Sequence, residues 1–176
     1  ANAILALNQG AKLGGFAHDT GEGSISRYHR EHGGDLIWEI GSGYFGCRNE
    51  GGGFNPERFA EQARDPQVKM IEIKLSQGAK PGHGGVLPGA KVTPEIAAAR
   101  GIPVGVDCVS PSAPSAFSTP VGLMQFVAQL REQPLTLAAV CARNRHEVAH
   151  RAVRRHRARA HARLRRHREP VDQPEP

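Results

Sequence analysis

The chain contains 176 residues, of which 39% are hydrophobic, and its formal net charge is +6 at pH 7. This composition excludes a membrane-spanning class of protein. The positive charge is unevenly distributed, because residues 1–132 hold 12 basic and 13 acidic residues whereas residues 133–176 hold 11 and 4. All 21 glycines lie at or before Gly122. The basic balance therefore belongs to the end of the chain and does not describe the partners of the first 132 residues.

The first 132 residues alternate between helical and extended patterns. Apolar residues at helical spacing predict a helix over residues 1–15, ended by Gly14 and Gly15, and a polar loop follows over residues 16–30. Proline directly after an Asn or Thr N-cap predicts three further helices, over residues 57–64, over residues 94–100 and from Pro120 onward. Apolar runs predict strands over residues 36–40, 68–75 and 102–106. This alternation predicts an α/β fold with a mainly parallel sheet.

The helix that begins after Thr119 is predicted to be amphipathic. Its apolar face is assigned to Val121, Met124, Val127, Ala128 and Leu130.

A glycine-rich stretch, residues 77–89, follows directly after the strand predicted at residues 68–75. Four glycines in eight residues expose backbone N–H groups, and Lys80 among them supplies a mobile positive charge. The pattern indicates either a phosphate or carboxylate site or a flexible surface loop. The order of residues is neither that of a P-loop nor that of a dinucleotide-binding fingerprint.

Two carboxylates stand out from their surroundings. Glu22 lies between two glycines in a polar loop, where it is either a proton-transferring group facing a pocket or a turn residue. Glu39 lies within the apolar strand at residues 36–40, so it either faces a site at the strand end or lies on a solvated edge.

Cysteines and histidines show no spacing typical of metal ligands, so no metal site is predicted. Cys47 and Cys108 are interpreted as packing residues, because no base lies beside them in the sequence. Residues 143–168 hold eleven arginines and five histidines but no glycine, lysine or aromatic residue, which indicates a solvated helix or a disordered tail outside the core. Residues 133–176 are accordingly predicted to form a separate tail, either an out-of-frame translation or a genuine basic extension.

Three segments resemble one family closely: KLSQGAKPGHGGVLPGAKV at residues 74–92, TGEG at residues 20–23, and GSGYFG at residues 41–46. They resemble the FMN-binding synthase domain of glutamate synthases, in particular the compact bacterial FMN-binding proteins of that family. The resemblance extends over residues 1–132. It implies a (β/α)8 TIM barrel, of which this chain holds the earlier strands, with FMN at the carboxyl ends of the strands.

The resemblance also implies a reaction and its residues. Reduced FMN would transfer a hydride to 2-iminoglutarate, formed from 2-oxoglutarate and ammonia, to give L-glutamate. Lys80 and Glu22 would be the catalytic residues, with Lys80 and Arg100 binding the two carboxylates of the oxo acid and Glu22 facing it. The flavin contacts would come from four residues, namely Lys74, Gln77, Glu39 and Ser42.

The chain departs from the family pattern at two residues and in its cysteines. His83 and Val86 replace a Glu and a Gln of the large multidomain enzymes, and the three cysteines do not match the iron–sulfur cluster motif of the family. We therefore expect FMN but no iron–sulfur cluster in this chain, and no activity from it alone.

The expected partners follow from the same resemblance. Ammonia would be free or derived from glutamine, and electrons would come from ferredoxin or an NAD(P)H-linked reductase. A cytoplasmic location is expected, with no membrane partner. The alternative function is that of a non-catalytic remnant whose arginine-rich tail binds nucleic acid or acidic surfaces. Nucleic acid is the less expected partner, because no aromatic residues for base stacking interrupt the tail.

Overall fold

The computed structural model describes residues 1–77 and 83–132, together with the backbone of residues 139–143. These residues belong to one compact unit, Ala1–Arg143. The helices are α1 (Asn2–Gly14), α2 (Arg27–Arg30), α3 (Pro56–Ala63), α4 (Pro94–Arg100) and α5 (Pro120–Arg131). The strands are β1 (His18–Asp19), β2 (Leu36–Ile40), β3 (Val68–Lys74), β4 (Gly85–Leu87), β5 (Cys108–Ser110) and β6 (Ala139–Arg143). A 3₁₀ turn occupies Gly89–Lys91.

Helix boundaries follow the capping signals in the sequence. The Asn55 side chain accepts a hydrogen bond from the Arg58 N–H at the start of α3. Thr93 and Thr119 cap α4 and α5 in the same way. Gly15 ends α1 in the left-handed conformation, with φ of 65°, which glycine adopts without a steric penalty. The four helices predicted from the sequence are therefore confirmed.

The central sheet has four strands in the order β1-β2-β3-β6, and every neighbouring pair is parallel. This confirms the predicted α/β class with a parallel sheet. The two short strands β4 and β5 pair antiparallel in a separate ribbon, with Val86 opposite Val109.

The main core lies between one face of the sheet and the helices α3 and α5. Trp38 on β2 is fully buried and stacks on Phe59 of α3, with 5.7 Å between ring centroids. Phe126 of α5 completes this aromatic cluster by an edge contact with Phe54 at 5.0 Å. Because aromatic residues bury large apolar areas, this layer supplies much of the stability of the described fold.

The apolar face predicted for α5 is correct only in part. Leu130 is buried and Val127 packs against the core, but the other three predicted residues are exposed. Val121 and Met124 are 67% and 60% exposed, whereas Phe126 and Leu130 are buried. Apolar residues occur on more than one side of this helix, so the sequence does not determine which side faces inward. Phe126 packs against Phe54 and Phe117, and these contacts determine which side of α5 is buried.

Three other expectations fail at short elements. The segment predicted as a strand at residues 102–106 is a turn in which Gly105 has φ of 74°, and the strand begins two residues later at Cys108. The predicted loop at residues 16–30 contains β1 and the single-turn helix α2, and the predicted loop at residues 77–89 contains β4. The longest helix in the described residues has 13 residues, too short and too polar to cross a bilayer.

Candidate functional site at the carboxyl ends of the strands

The loops that follow β1, β2 and β3 meet at one edge of the sheet, because these three strands are parallel. Glu22 lies in the loop after β1, and Ser42 lies in the loop after β2. Lys74 is the last residue of β3, and Gln77 follows it closely. In parallel α/β sheets this edge is where ligands bind.

Lys74 lies at the centre of a compact group of polar side chains. Its Nζ atom is 2.9 Å from Oε2 of Glu22 and 3.2 Å from Oε1 of Glu39. The Gln77 amide donates a hydrogen bond to the same Glu22 oxygen at 2.6 Å, and the Ser110 hydroxyl donates to the other at 3.4 Å. We call these five residues, Glu22, Glu39, Lys74, Gln77 and Ser110, the Glu22 cluster.

The protonation states within this cluster differ. Burial acts to raise the pKa of Glu22, but hydrogen bonds from Lys74 and Gln77 outweigh it, so this pKa lies below its ordinary value. Burial likewise acts to lower the pKa of Lys74, and the hydrogen bond and charge of Glu22 outweigh it, so that pKa is raised. Glu22 and Lys74 are therefore an ionised pair at neutral pH.

Glu39 has the opposite behaviour to Glu22. Burial and then the nearby charge of Asp19 raise its pKa, against the attraction of Lys74. Carboxylate oxygens of Asp19, Glu39 and Glu72 all lie within 4.8 Å of one another on one face of the sheet. Because like charges at this distance disfavour ionisation, Glu39 holds a proton more tightly than an isolated carboxyl group does. The cluster thus combines a fixed anion, a fixed cation and a group that can retain a proton.

Gly41 allows Glu22 to approach the end of β2. A Cβ atom at this position would lie 3.2–3.4 Å from three side-chain atoms of Glu22, closer than such contacts normally are. A larger residue would therefore require Glu22 to shift by a few tenths of an ångström. Of the three glycines in the loop at residues 41–46, Gly41 is thus the one that packs on the site.

The loop after β2 is also hydrogen-bonded to the segment that follows β5. The Ser42 hydroxyl donates a hydrogen bond to the Pro111 carbonyl oxygen, and the Tyr44 hydroxyl accepts one from the Ala116 N–H at 2.8 Å. These contacts help to hold Ser110, which neighbours Pro111, beside Glu22.

The structure brings together four of the residues predicted for the site, namely Glu22, Glu39, Lys74 and Gln77. Glu39 was predicted either to face a site at the strand end or to lie on a solvated edge. It lies near the end of β2, an interior strand of the sheet, and its carboxylate contacts Lys74, so the first alternative holds. Ser42 lies at the same edge but directs its hydroxyl to Pro111. Lys80 lies outside the described residues.

Arg100 lies apart from the Glu22 cluster. Its guanidinium is 4.7 Å from the centre of the Phe45 ring, and it donates to the Cys108 sulfur at 3.4 Å. It approaches the Glu22 loop at the neighbouring Gly23, where a Cβ atom would lie 3.7 Å from its Nη2. A predicted substrate arginine is thus close to the loop but not in contact with its carboxylate.

Ser110 was not predicted from the sequence. Its segment is rich in Ser, Pro and Ala, without a motif, and its contact with Glu22 joins residues 88 positions apart. Cys47 and Cys108 are buried and free, as expected of packing residues, and burial raises the pKa of the Cys47 thiol.

Comparison with known proteins identifies the family. The model of the conserved region in glutamate synthase matches residues 1–163, and the chain belongs to the glutamate synthase family. It is 42% identical over 131 residues to the glutamate synthase large subunit-like protein YerD of Bacillus subtilis, covering 74% of this chain and 25% of the relative. The resemblance noted from the motifs is therefore confirmed.

Other relatives show the same partial coverage. The archaeal-type glutamate synthase (NADPH) of Thermotoga maritima is 34% identical over 162 residues, which are 87% of this chain and 29% of the relative. The archaeal glutamate synthase (NADPH) of Methanocaldococcus jannaschii is 37% identical over 131 residues, 74% of this chain and 23% of the relative. The chain thus spans about a quarter of the length of the relatives it matches.

Proposed function

We propose that this chain forms part of the active site of an FMN-dependent glutamate synthase. The reaction is the reductive amination of 2-oxoglutarate, through 2-iminoglutarate, to L-glutamate. The observation that supports this most is the ionised Lys74–Glu22 pair at the carboxyl ends of parallel strands, in a chain of the glutamate synthase family. The sheet is proposed to be the first part of a (β/α)8 barrel, with the carboxylate-bearing face turned to the barrel interior.

The residues of the site fit a flavin by their chemistry. A lysine ammonium has three donors, of which two meet Glu22 and Glu39 and the third would meet the pyrimidine edge of FMN. Gln77 supplies an amide on the same side. Bound FMN in its reduced form would supply the hydride.

The remaining steps fall to side chains of this chain. The protonated imine of 2-iminoglutarate is positively charged and is more electrophilic than the neutral imine. An anionic Glu22 facing it would keep it protonated until its carbon accepts the hydride, which converts the cation into a neutral amine. The hydrogen bonds that lower the pKa of Glu22 keep it anionic for this role. Lys80 and Arg100 are proposed to hold the two carboxylates of the substrate, which would fix the imine carbon in position.

The electron donor is proposed to be NADPH-linked, since the matched archaeal and Thermotoga relatives are named for NADPH. Ammonia would arrive free or from glutamine. The alternative, in which the arginine-rich tail binds nucleic acid or acidic surfaces, concerns residues outside the described part of the chain and stays a prediction.

FMN binding tests the proposal directly. The purified full chain is titrated into FMN while the quenching of flavin fluorescence is followed. We expect Lys74→Met to weaken binding about tenfold or more, because a hydrogen bond from a charged group is lost. Lys69→Met is the matched control, since Lys69 lies on the same strand but pairs with Asp35 at the surface. The proposal fails if the wild-type chain does not quench FMN fluorescence, or if both variants bind FMN as the wild type does.

A further inference from the structure

A groove of about 740 Å³ lies beside α3 and α4, and none of its lining residues belongs to the Glu22 cluster. Positively charged side chains dominate its lining. Its charged residues are the arginines Arg30, Arg48, Arg58, Arg64 and Arg100 and the carboxylates Glu61 and Asp65. We call it the arginine groove.

The positive charge of the arginine groove is only partly neutralised from within, because five arginines and two carboxylates line it. Asp65 forms a salt bridge with Arg30, in which its Oδ2 lies 2.8 Å from the arginine Nε. Among residues 1–77 and 83–132, none of the other four arginines has a carboxylate oxygen within 4.0 Å. Guanidinium groups that line one groove repel one another, so a bound anion would relieve that repulsion.

Three of these arginines are positioned by contacts with uncharged groups, so their positive charge is not neutralised by these contacts. Arg48 and Arg100 lie 5.6 Å and 4.7 Å from the centre of the same buried ring, Phe45. Arg58 donates through Nη1 to the Arg48 carbonyl oxygen at 2.9 Å, and this nitrogen lies 3.9 Å from the position of a Cβ at Gly101. The guanidinium groups are therefore positioned before any ligand arrives, which lowers the entropic cost of binding.

The size and chemistry of the groove identify the class of ligand. Planar guanidinium groups match the oxygens of phosphates and carboxylates, and the volume is that of a small-molecule site. Ile25, Ala98 and Ala99 add apolar surface that would contact the body of such a molecule. We propose that the arginine groove binds a small oxyanion, a phosphate ester or a carboxylate, held chiefly by Arg48 and Arg58. This site is separate from the proposed flavin site and does not require Arg100.

Calorimetric titration of the full chain at low salt tests the proposal, with inorganic pyrophosphate and glutarate as separate probes. Arg58→Gln should weaken binding of the preferred probe about tenfold or more, since a charge-assisted contact is lost. Arg131→Gln is the matched control, because Arg131 is exposed on α5 and outside the groove, and it should bind as the wild type does. Raising the salt concentration should weaken binding through screening.

Each outcome has a defined meaning. Tighter binding of pyrophosphate assigns the groove to phosphates, and tighter binding of glutarate assigns it to carboxylates; either result supports an oxyanion site provided that Arg58→Gln weakens it. The proposal is overturned if neither probe binds at millimolar concentration, or if Arg58→Gln and Arg48→Gln, shown to be folded by circular dichroism, bind like the wild type. FMN titration of Arg58→Gln should match the wild type, so failure here is distinguishable from failure of the proposed function.

Discussion

The two faces of the central sheet are built from the same strands yet have opposite chemistry. On one face Trp38 pairs in register with Ile71, and Ile40 pairs with Ile73. On the other face, one residue along, Glu39 pairs with Glu72. Because side chains alternate along a strand, a shift of one residue separates an apolar layer from a row of carboxylates.

This contrast indicates what each face contributes. The apolar face is covered by α3 and α5 and stabilises the fold by burial. The charged face gathers carboxylate oxygens of Asp19, Glu39 and Glu72 within 4.8 Å. The charges of Asp19 and Glu72 disfavour ionisation of Glu39, whereas Lys74 favours it. Groups that destabilise a fold while sharing a cleft are typical of functional sites.

The largest effect is expected on the apolar face. Trp38→Ala should lower the free energy of unfolding by about 3–5 kcal/mol, because it leaves a cavity beside Phe59 in a fully buried layer. Urea denaturation followed by circular dichroism measures this, since Trp38 is the only tryptophan. Val121→Ala at an exposed site of α5 should change it by less than about 0.5 kcal/mol. A loss below about 1 kcal/mol for Trp38→Ala would mean that this face does not form the main core.

Local signals in the sequence were sufficient for much of the fold. The caps at Asn55, Thr93 and Thr119 depend on contacts only three residues along the chain, so the three helices were found with nearly correct bounds. The strand β1 was missed because only two residues, one of them charged, form it. The inward side of α5 depends on contacts with distant phenylalanines and could not be read from its own pattern.

The candidate site was predictable to a different degree. Motif resemblance indicated Glu22 and Lys74, although these residues lie far apart in the sequence and meet only because β1 and β3 are parallel to β2. Neither Ser110 nor the arginine groove has a local signature, since their residues come together through tertiary packing alone. Contacts between residues that are distant in the sequence and carry no motif could therefore not be predicted.

An intermediate loss of stability is expected when Lys74, the cation of the charged face, is replaced. Lys74→Met should destabilise the fold at pH 7 by about 1–2 kcal/mol, a value reduced from that of a fully buried pair because Lys74 is partly exposed. The lowered pKa of Glu22 means that its contribution to stability is present above its unfolded pKa and is lost as pH falls through the folded value.

The difference between wild type and Lys74→Met should therefore shrink as the solution becomes more acidic. Urea denaturation at pH 7 and at about pH 3, compared with the exposed-site control Lys69→Met, measures this. A difference that stays constant across this range would show that Lys74 acts through packing of its aliphatic chain and not through Glu22.

The smallest expected effect is a gain in the free energy of unfolding, and it comes from removing a carboxylate of the charged face. The pKa of Glu39 is raised by burial and by Asp19, so the folded state binds this proton more tightly than the unfolded state does. The contribution of Glu39 to stability is then greatest below its unfolded pKa and is lost as pH rises through the folded value. Glu39→Gln should consequently stabilise the fold at pH 7 by a few tenths to about 1 kcal/mol, the range for like charges opposed across strands.

This gain should disappear near pH 4, where the wild-type residue is largely protonated, and urea denaturation at the two pH values tests it. Glu72→Gln is the companion variant, because it removes the same repulsion from the opposing strand. If Glu39→Gln stabilises the chain but weakens FMN quenching, while Trp38→Phe affects stability alone, the charged face is retained for its chemistry at the expense of stability. Destabilisation by Glu39→Gln at pH 7 would instead make its contact with Lys74 the dominant interaction, and the two faces would then both be stabilising.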